Sequence, residues 1–401
     1  MSIAAKVSPE PAVVGSLRRW FADRHVPPFE LHLPDKRSYA LGLPGAPAFR
    51  VWLRNERAVR ALATRDEVTI GTAYLDGDID VQGDFLAVLD LRTVLSDRHP
   101  LERLWRFVQP LLLGQVKSNQ RWVPQHYDHG NDLYFTFLDK EHRLYSQALY
   151  TREDETLEQA AENKLAYIAD VCRLEPGSHV LDVGGGWGSF GRFAAARGID
   201  VTMLTISHEQ FAFLSELSGG HRLPGTLRAV HDDVFSYAPG ERYDAIVLLG
   251  VMEHLPDYRR LFRKFEELLR WDGRLYMDFS ANRTKFKVST FTSRYVFPGN
   301  HTPVVVPDLL ASANETSFEP IALHNDRHSY FLTLRSWARN LEAARSELVD
   351  RFGERTFRLF QLYLWAGAHQ LHRDGRMESY RVAFQRSHGH GSGEIGTYQP
   401  L

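Results

Sequence analysis

Gly184, Gly186 and Gly188 alternate directly behind an apolar run, in the string SHVLDVGGGWG at residues 178–188. Residues 179–183 follow the Pro176-Gly177 turn and show no amphipathic period, so they predict a buried strand that runs into a glycine-rich turn. Glycine lacks a Cβ and reaches dihedrals that other residues avoid, so backbone amides in such a turn can approach a ligand closely. The chemistry this serves is the holding of a small cofactor. Ahead of that strand, residues 126–147 are dense in aromatic, hydroxyl and amide groups, which suits a lid.

A glycine turn also serves dinucleotide-binding folds, so the strands downstream must discriminate. A nicotinamide enzyme wants an acid at the end of the second strand, about 20 residues on. Here that strand is DVTMLTI, residues 200–206, and it ends in Ser207 and His208. The third strand ends in Asp232-Asp233, where Asp233 can accept from an adenine amino group, and the fourth is YDAIVLLG, residues 243–250. This order resembles a class I S-adenosyl-L-methionine-dependent methyltransferase. It predicts an α/β, Rossmann-like doubly wound sheet with the cofactor at the carboxyl ends of the strands.

The rest of the chain must position this loop. At 401 residues and 43% hydrophobic it can bury more than one core, which predicts two domains. A net charge of -2 argues against a nucleic-acid partner held by bulk positive charge. Cys172 is the only cysteine, so there is no intrachain disulfide, and no run reaches the ~18 apolar residues of a membrane span. The expectation is a cytoplasmic protein, with contact to a membrane surface left open. Leu17, Trp20 and Phe21 beside Arg18, Arg19 and Arg24 predict a short amphipathic helix, either packed or lying as a foot on a membrane. Residues 39–53 read as strands, 55–63 as a helix, and TIGTAYLDGDIDVQGD as a turn-rich junction. The greasy stretch 101–113 is interrupted by Pro110 and reads as a linker between domains. Residues 258–269 show a helical apolar face, GRLYMDFS is the fifth strand, and 294–304 reads as an extended insertion. Leu334, Trp337, Leu341 and Leu348 fall on one stripe, and the polar glycine-rich end, 391–401, reads as a flexible tail.

HYDHGNDLY, YSQALY, TLEQAAENKL, VLDVGGGWG, LTISHEQ, MEHLPDY, RYVFPGNHTP and HNDRHSYFLTLRSW occur in that order. Together they resemble cyclopropane fatty acid synthases and the related mycolic acid methyltransferases, and GTAYLDGDIDVQGD resembles the lipid-binding domain of the full-length bacterial enzymes. The resemblance implies a smaller N-terminal α+β lipid-binding domain with its linker over 1–115 and a methyltransferase domain over 116–390. It implies an enzyme that visits membranes, takes an unsaturated acyl chain of a phospholipid and places on its double bond the methyl of S-adenosyl-L-methionine. A homodimer stays open.

By that resemblance Tyr145, Ser146, Gly184, Gly185, Gly186, Trp187, Gly188, Thr205 and Gln210 contact the cofactor, a hydroxyl and an amide replacing the usual acid. Glu253 and Tyr330 match two residues that hold a bicarbonate acting as base. Two further members of that set differ: Gln147 stands where the family has cysteine, and Asp278 where it has histidine. The usual central cysteine of the loop is Gly185, a change expected to matter little because the backbone is used there. Gly367 stands near a further missing cysteine. Beside Glu253, Asp278 should repel bicarbonate, so the expectation is that Asp278, or the pair, acts as the base and that bicarbonate is not used. A methylene or methyl branch then competes with a ring as product. Two other functions compete: a small-molecule methyltransferase sharing the Glu253-His254 pair, and a non-catalytic lipid- or cofactor-binding relative. His324, Asp326 and His328 alternate, but such residues before a helix more often make side-chain hydrogen bonds, and no metal is expected.

Overall fold

The computed structural model describes residues 10–97, 99, 130–220, 222–283, 289–297 and 301–388. The linker 101–113, residues 126–129 of the lid and the tail 391–401 lie outside the described residues.

The N-terminal part opens with helix Ala12–Phe21, whose Val13, Val14, Leu17 and Phe21 are buried. Its apolar face is therefore used by the protein's own core, which makes it a packed helix. Behind it lie β1 (Phe29–His32), β2 (Ser38–Leu41), β3 (Phe49–Leu53) and β4 (Ile79–Gly83), in the order β2-β1-β3-β4. Helix Glu56–Thr64 is capped by the Asn55 side chain, in keeping with the sequence. The glycine-rich stretch expected as a junction is instead helix Glu67–Leu75 followed by β4. Asp66 caps that helix by accepting from Thr69 N, and Gly71 is small because a Cβ there would sit 2.6 Å from the Phe291 ring. Only Gly77, at φ +77°, is a turn glycine in that stretch.

The larger sheet contains β5 (His179–Val183), β6 (Asp200–Thr205), β7 (Leu227–His231), β8 (Tyr243–Leu249), β9 (Leu269–Ala281), β10 (Phe318–Asn325) and β11 (Glu378–Arg386). Their order is β10-β11-β9-β8-β5-β6-β7, with β5 to β9 parallel and β11 antiparallel to both neighbours. The chain runs outward from β5 through β6 to β7, then crosses to β8 and β9. Such a reversal opens a crevice at the carboxyl ends of β5 and β8. The sheet bears out the doubly wound class I methyltransferase fold.

Two local readings differ. Residues 290–295 form a helix, Thr290–Tyr295, because the Ser289 side chain caps it and the Phe291 ring packs at a tilt against Tyr295 one turn on. Leu334, Trp337 and Leu341 share helix Arg327–Ala343, but Leu348 belongs to the separate helix Arg345–Phe352.

Helix Glu354–His369, unmarked in the sequence reading, joins the two parts. Tyr74 Oη donates to Gln361 Oε1 at 2.6 Å, and His369 Nε2 lies 2.8 Å from Asp90. Arg358 donates to the carbonyls of Tyr74 and Ile79. Phe357, Phe360 and Leu364 are buried in a core that runs without a break from Val13 to Leu371.

Candidate active site

The loop after β5 has Gly184, Gly186 and Gly188 at φ +79°, +53° and +74°, where side chains are strained. A Cβ on Gly184 would also lie 2.5 Å from Val251. Gly184 N and Gly185 N donate to Leu204 O, fastening the loop to the end of β6. At Gly185 a Cβ would lie 2.9 Å from Met203 Cβ, so this seat is tighter than expected and a cysteine there would have to move Met203.

A cleft opens over this loop. Gly184, Gly185, Gly186 and Trp187 line it, with Tyr145, Ser146, Thr205, Gln210 and Asp233. Gly188 sits behind, turning the chain into helix Ser189–Ala195. Thr205 Oγ1 donates to Gln210 Oε1 at 2.8 Å, so the amide nitrogen of Gln210 is left to donate into the cleft. Asp233 accepts from Phe235 N, and burial raises its carboxyl pKa. Trp187 is buried against Tyr134 and Tyr145 and donates to Asn131 Oδ1 at 2.8 Å, so it braces the described part of the lid. Asp182, at the foot of the loop, has its carboxyl pKa pushed up to about 7 by burial. A glycine cradle, a fixed amide and a buried acid at the adenine end fit S-adenosyl-L-methionine.

A second, mainly apolar cavity meets the cleft at Tyr145, Ser146, Gly250 and His254, which line both. Its far walls are Val51, Leu62, Ile70 and Val88 of the N-terminal part and Leu362 of helix Glu354–His369. Glu253, Asp278, Tyr330, Gln147 and Gly367 all border it.

Their roles separate on their partners. Residues 278 and 280 share one face of β9, by the two-residue period of a strand. Ser280 donates to Glu253 Oε1 from both N, at 2.7 Å, and Oγ, at 2.6 Å. Glu253 Oε2 is buried and has no partner among the described residues. Burial pushes the Glu253 carboxyl pKa above its ordinary range, against the pull of the Ser280 bonds. Burial also raises Tyr330.

Asp278 is not the free base expected. Its Oδ1 accepts from Gly250 N at 3.0 Å and its Oδ2 lies 2.8 Å from Lys164 Nζ, both side chains being almost wholly buried. The repulsion of an anion argued from Asp278 is thus offset by a cation. Burial pulls the Lys164 ammonium down and pushes Asp278 up, while each holds the other charged.

Gln147 is also corrected. Its amide nitrogen donates to Asp326 Oδ2 at 3.1 Å and to Tyr380 O at 3.2 Å, and its Oε1 accepts from Ser379 Oγ. Both N–H groups are used, so Gln147 clamps β11 to helix Arg327–Ala343 and gives no proton to a ligand. Gln147→Leu should take from Asp326 Oδ2 its amide donor, while Arg381 keeps Oδ1, and lower stability by about 1–3 kcal/mol, read as a fall in Tm.

His324, Asp326 and His328 go separate ways: Asp326 binds Arg381 and Gln147, His328 meets Glu153, and His324 packs edge-on to Tyr167. No motif of the sequence marks Lys164 as a site residue. It lies on the buried stripe Leu157, Ala160, Ala161, Lys164, Leu165, Ile168 of helix Leu157–Val171, and a lysine on an apolar face signals a buried acidic partner.

The fold and the two joined cavities define a class I S-adenosyl-L-methionine-dependent methyltransferase. The family model described as mycolic acid cyclopropane synthetase matches residues 115–382, and the chain belongs to that family. Cyclopropane-fatty-acyl-phospholipid synthase of Escherichia coli (strain K12) is 27% identical over 377 residues, covering 89% of this chain and 96% of that protein. Sphingolipid C9-methyltransferase of Candida albicans is 29% identical over 321 residues, 74% of this chain, and the chain spans only 61% of its length. The solved cyclopropane synthase MmaA2 from Mycobacterium tuberculosis superposes with a TM-score of 0.60 at 26% identity, over 66% of this chain and 96% of that one.

Proposed function

We propose that this enzyme alkylates the double bond of an unsaturated fatty acyl chain carried by a phospholipid, working from the cytoplasm at a membrane surface. The observation that carries the reading is the apolar cavity that leads from the N-terminal part to the unpartnered Oε2 of Glu253 and there meets the cofactor cleft. An alkyl chain suits such walls, each buried methylene contributing ~0.8 kcal/mol. Among the described residues no helix is long and apolar enough to cross a membrane.

Bound in its cleft, S-adenosyl-L-methionine supplies an electrophilic methyl. The π pair of the alkene would make the new C–C bond to that methyl as the methyl–sulfur bond breaks with its pair staying on sulfur, which leaves the demethylated thioether in the cleft and a cation on the chain. Glu253 Oε2 then accepts a proton from a neighbouring carbon, and Ser280 keeps the carboxylate aimed. Loss from the transferred methyl closes a ring, or leaves a methylene branch where a hydride has first moved from the methyl-bearing carbon to the cation, and loss from a chain carbon leaves a methyl branch beside a double bond. Because Glu253 presents its own base, the rate should not change when bicarbonate is added to carbon-dioxide-free buffer. A rise in rate would place a small anion between Glu253 and the substrate.

The test is mass spectrometry of unsaturated phospholipid vesicles incubated with the enzyme and methyl-labelled cofactor. A gain of one labelled CH2 is expected, and fragmentation separates ring from branch. No gain, with cofactor binding intact, would turn the acceptor into a small molecule or the chain into a silent relative.

A further inference from the structure

Lys164 reaches, from behind, a residue that lines both cavities. Its stem runs through the stripe of helix Leu157–Val171, and its Nζ donates to Ser146 Oγ at 2.6 Å while lying 2.8 Å from Asp278 Oδ2. Asp182 and Asp326 add attraction from further off.

A lysine Nζ has only protons to give, so Ser146 Oγ is the acceptor in this contact. The hydroxyl proton of Ser146 must then point away from Lys164, and it finds no acceptor among the described residues. Ser146 is buried and lines both the cofactor cleft and the apolar cavity. A buried hydroxyl without an acceptor is costly unless a ligand supplies one.

We infer that Lys164 is a positioning residue: it locks Ser146 as a hydrogen-bond donor to the bound cofactor, and Asp278 serves as the counter-ion that keeps Lys164 charged in a dry site. The chain Asp278, Lys164, Ser146 is then a device for cofactor orientation, distinct from the proton transfer at Glu253. It explains why a carboxylate can stand on β9 beside Glu253, since its charge is spent on Lys164. The inference rests on the cofactor reading of the cleft.

Calorimetric titration with S-adenosyl-L-methionine, which needs no lipid, tests it. Ser146→Ala should weaken cofactor affinity about tenfold, the loss of one hydrogen bond to a ligand. Lys164→Met should do the same, and adding Ser146→Ala to it should cost no more, because the two act as one unit. Since Lys164→Met alone leaves Asp278 buried without its cation, the double variant Lys164→Met, Asp278→Asn guards against misfolding. It should melt close to the wild type yet keep the tenfold loss. Wild-type affinity in that double variant, or losses that multiply between Ser146→Ala and Lys164→Met, would overturn the inference and leave an ion pair that only holds the fold. A wild-type chain that does not bind the cofactor would instead sink the functional reading.

Discussion

Glu253→Gln should lower kcat by about 10³-fold, the contribution of a placed general base, while leaving cofactor affinity nearly unchanged. The amide keeps the shape and the contact with Ser280 but cannot accept the proton at Oε2. The pH profile supplies a second readout. Glu253 works unprotonated and its pKa is raised by burial, so activity should fall as pH drops through that raised value, above the ~4.3 of an ordinary glutamate. The residual activity of Glu253→Gln should lack this acid limb. A large loss of cofactor binding in the variant would show that Glu253 belongs to the cleft and not to the chemistry.

Ile70→Trp should cut kcat/KM for a long acyl substrate by about 50-fold. Ile70 lines the apolar cavity from helix Glu67–Leu75, far from the cofactor loop in sequence. The larger indole takes the room of roughly three methylenes at ~0.8 kcal/mol each, which is about 50-fold. The loss should appear chiefly in KM, with the calorimetric affinity for the cofactor unchanged. Full activity on a long chain would show that the N-terminal part lies outside the acyl path.

The cofactor cleft was readable because its parts are local. Gly184, Gly186 and Gly188 sit in one turn, and Thr205 and Gln210 are five residues apart. Spacing in the chain is then close to spacing in space, and a strand ending in glycines has few other folds to adopt. The same holds for the sheet, whose strands announce themselves as apolar runs in the right order. The helix at 67–75 is hidden in the sequence because its glycine looks like a turn residue, whereas Gly71 is small to admit Phe291 from another part of the chain.

What the tertiary structure alone decided was the meaning of the polar residues around the reaction. Gln147 and Asp278 looked like altered catalytic groups, and their partners show otherwise. Gln147 is held by Asp326, 179 positions on, and by Ser379, 232 positions on. Asp278 is held by Lys164, a residue of a helix that precedes the whole sheet. The family and the cofactor are legible in the linear chain, because the motifs that carry them are local. Whether a buried carboxylate is a base or a counter-ion depends on which cation lies within hydrogen-bond reach, because charge in a dry site is set by its nearest partner, and only the packed helices and strands bring that partner there.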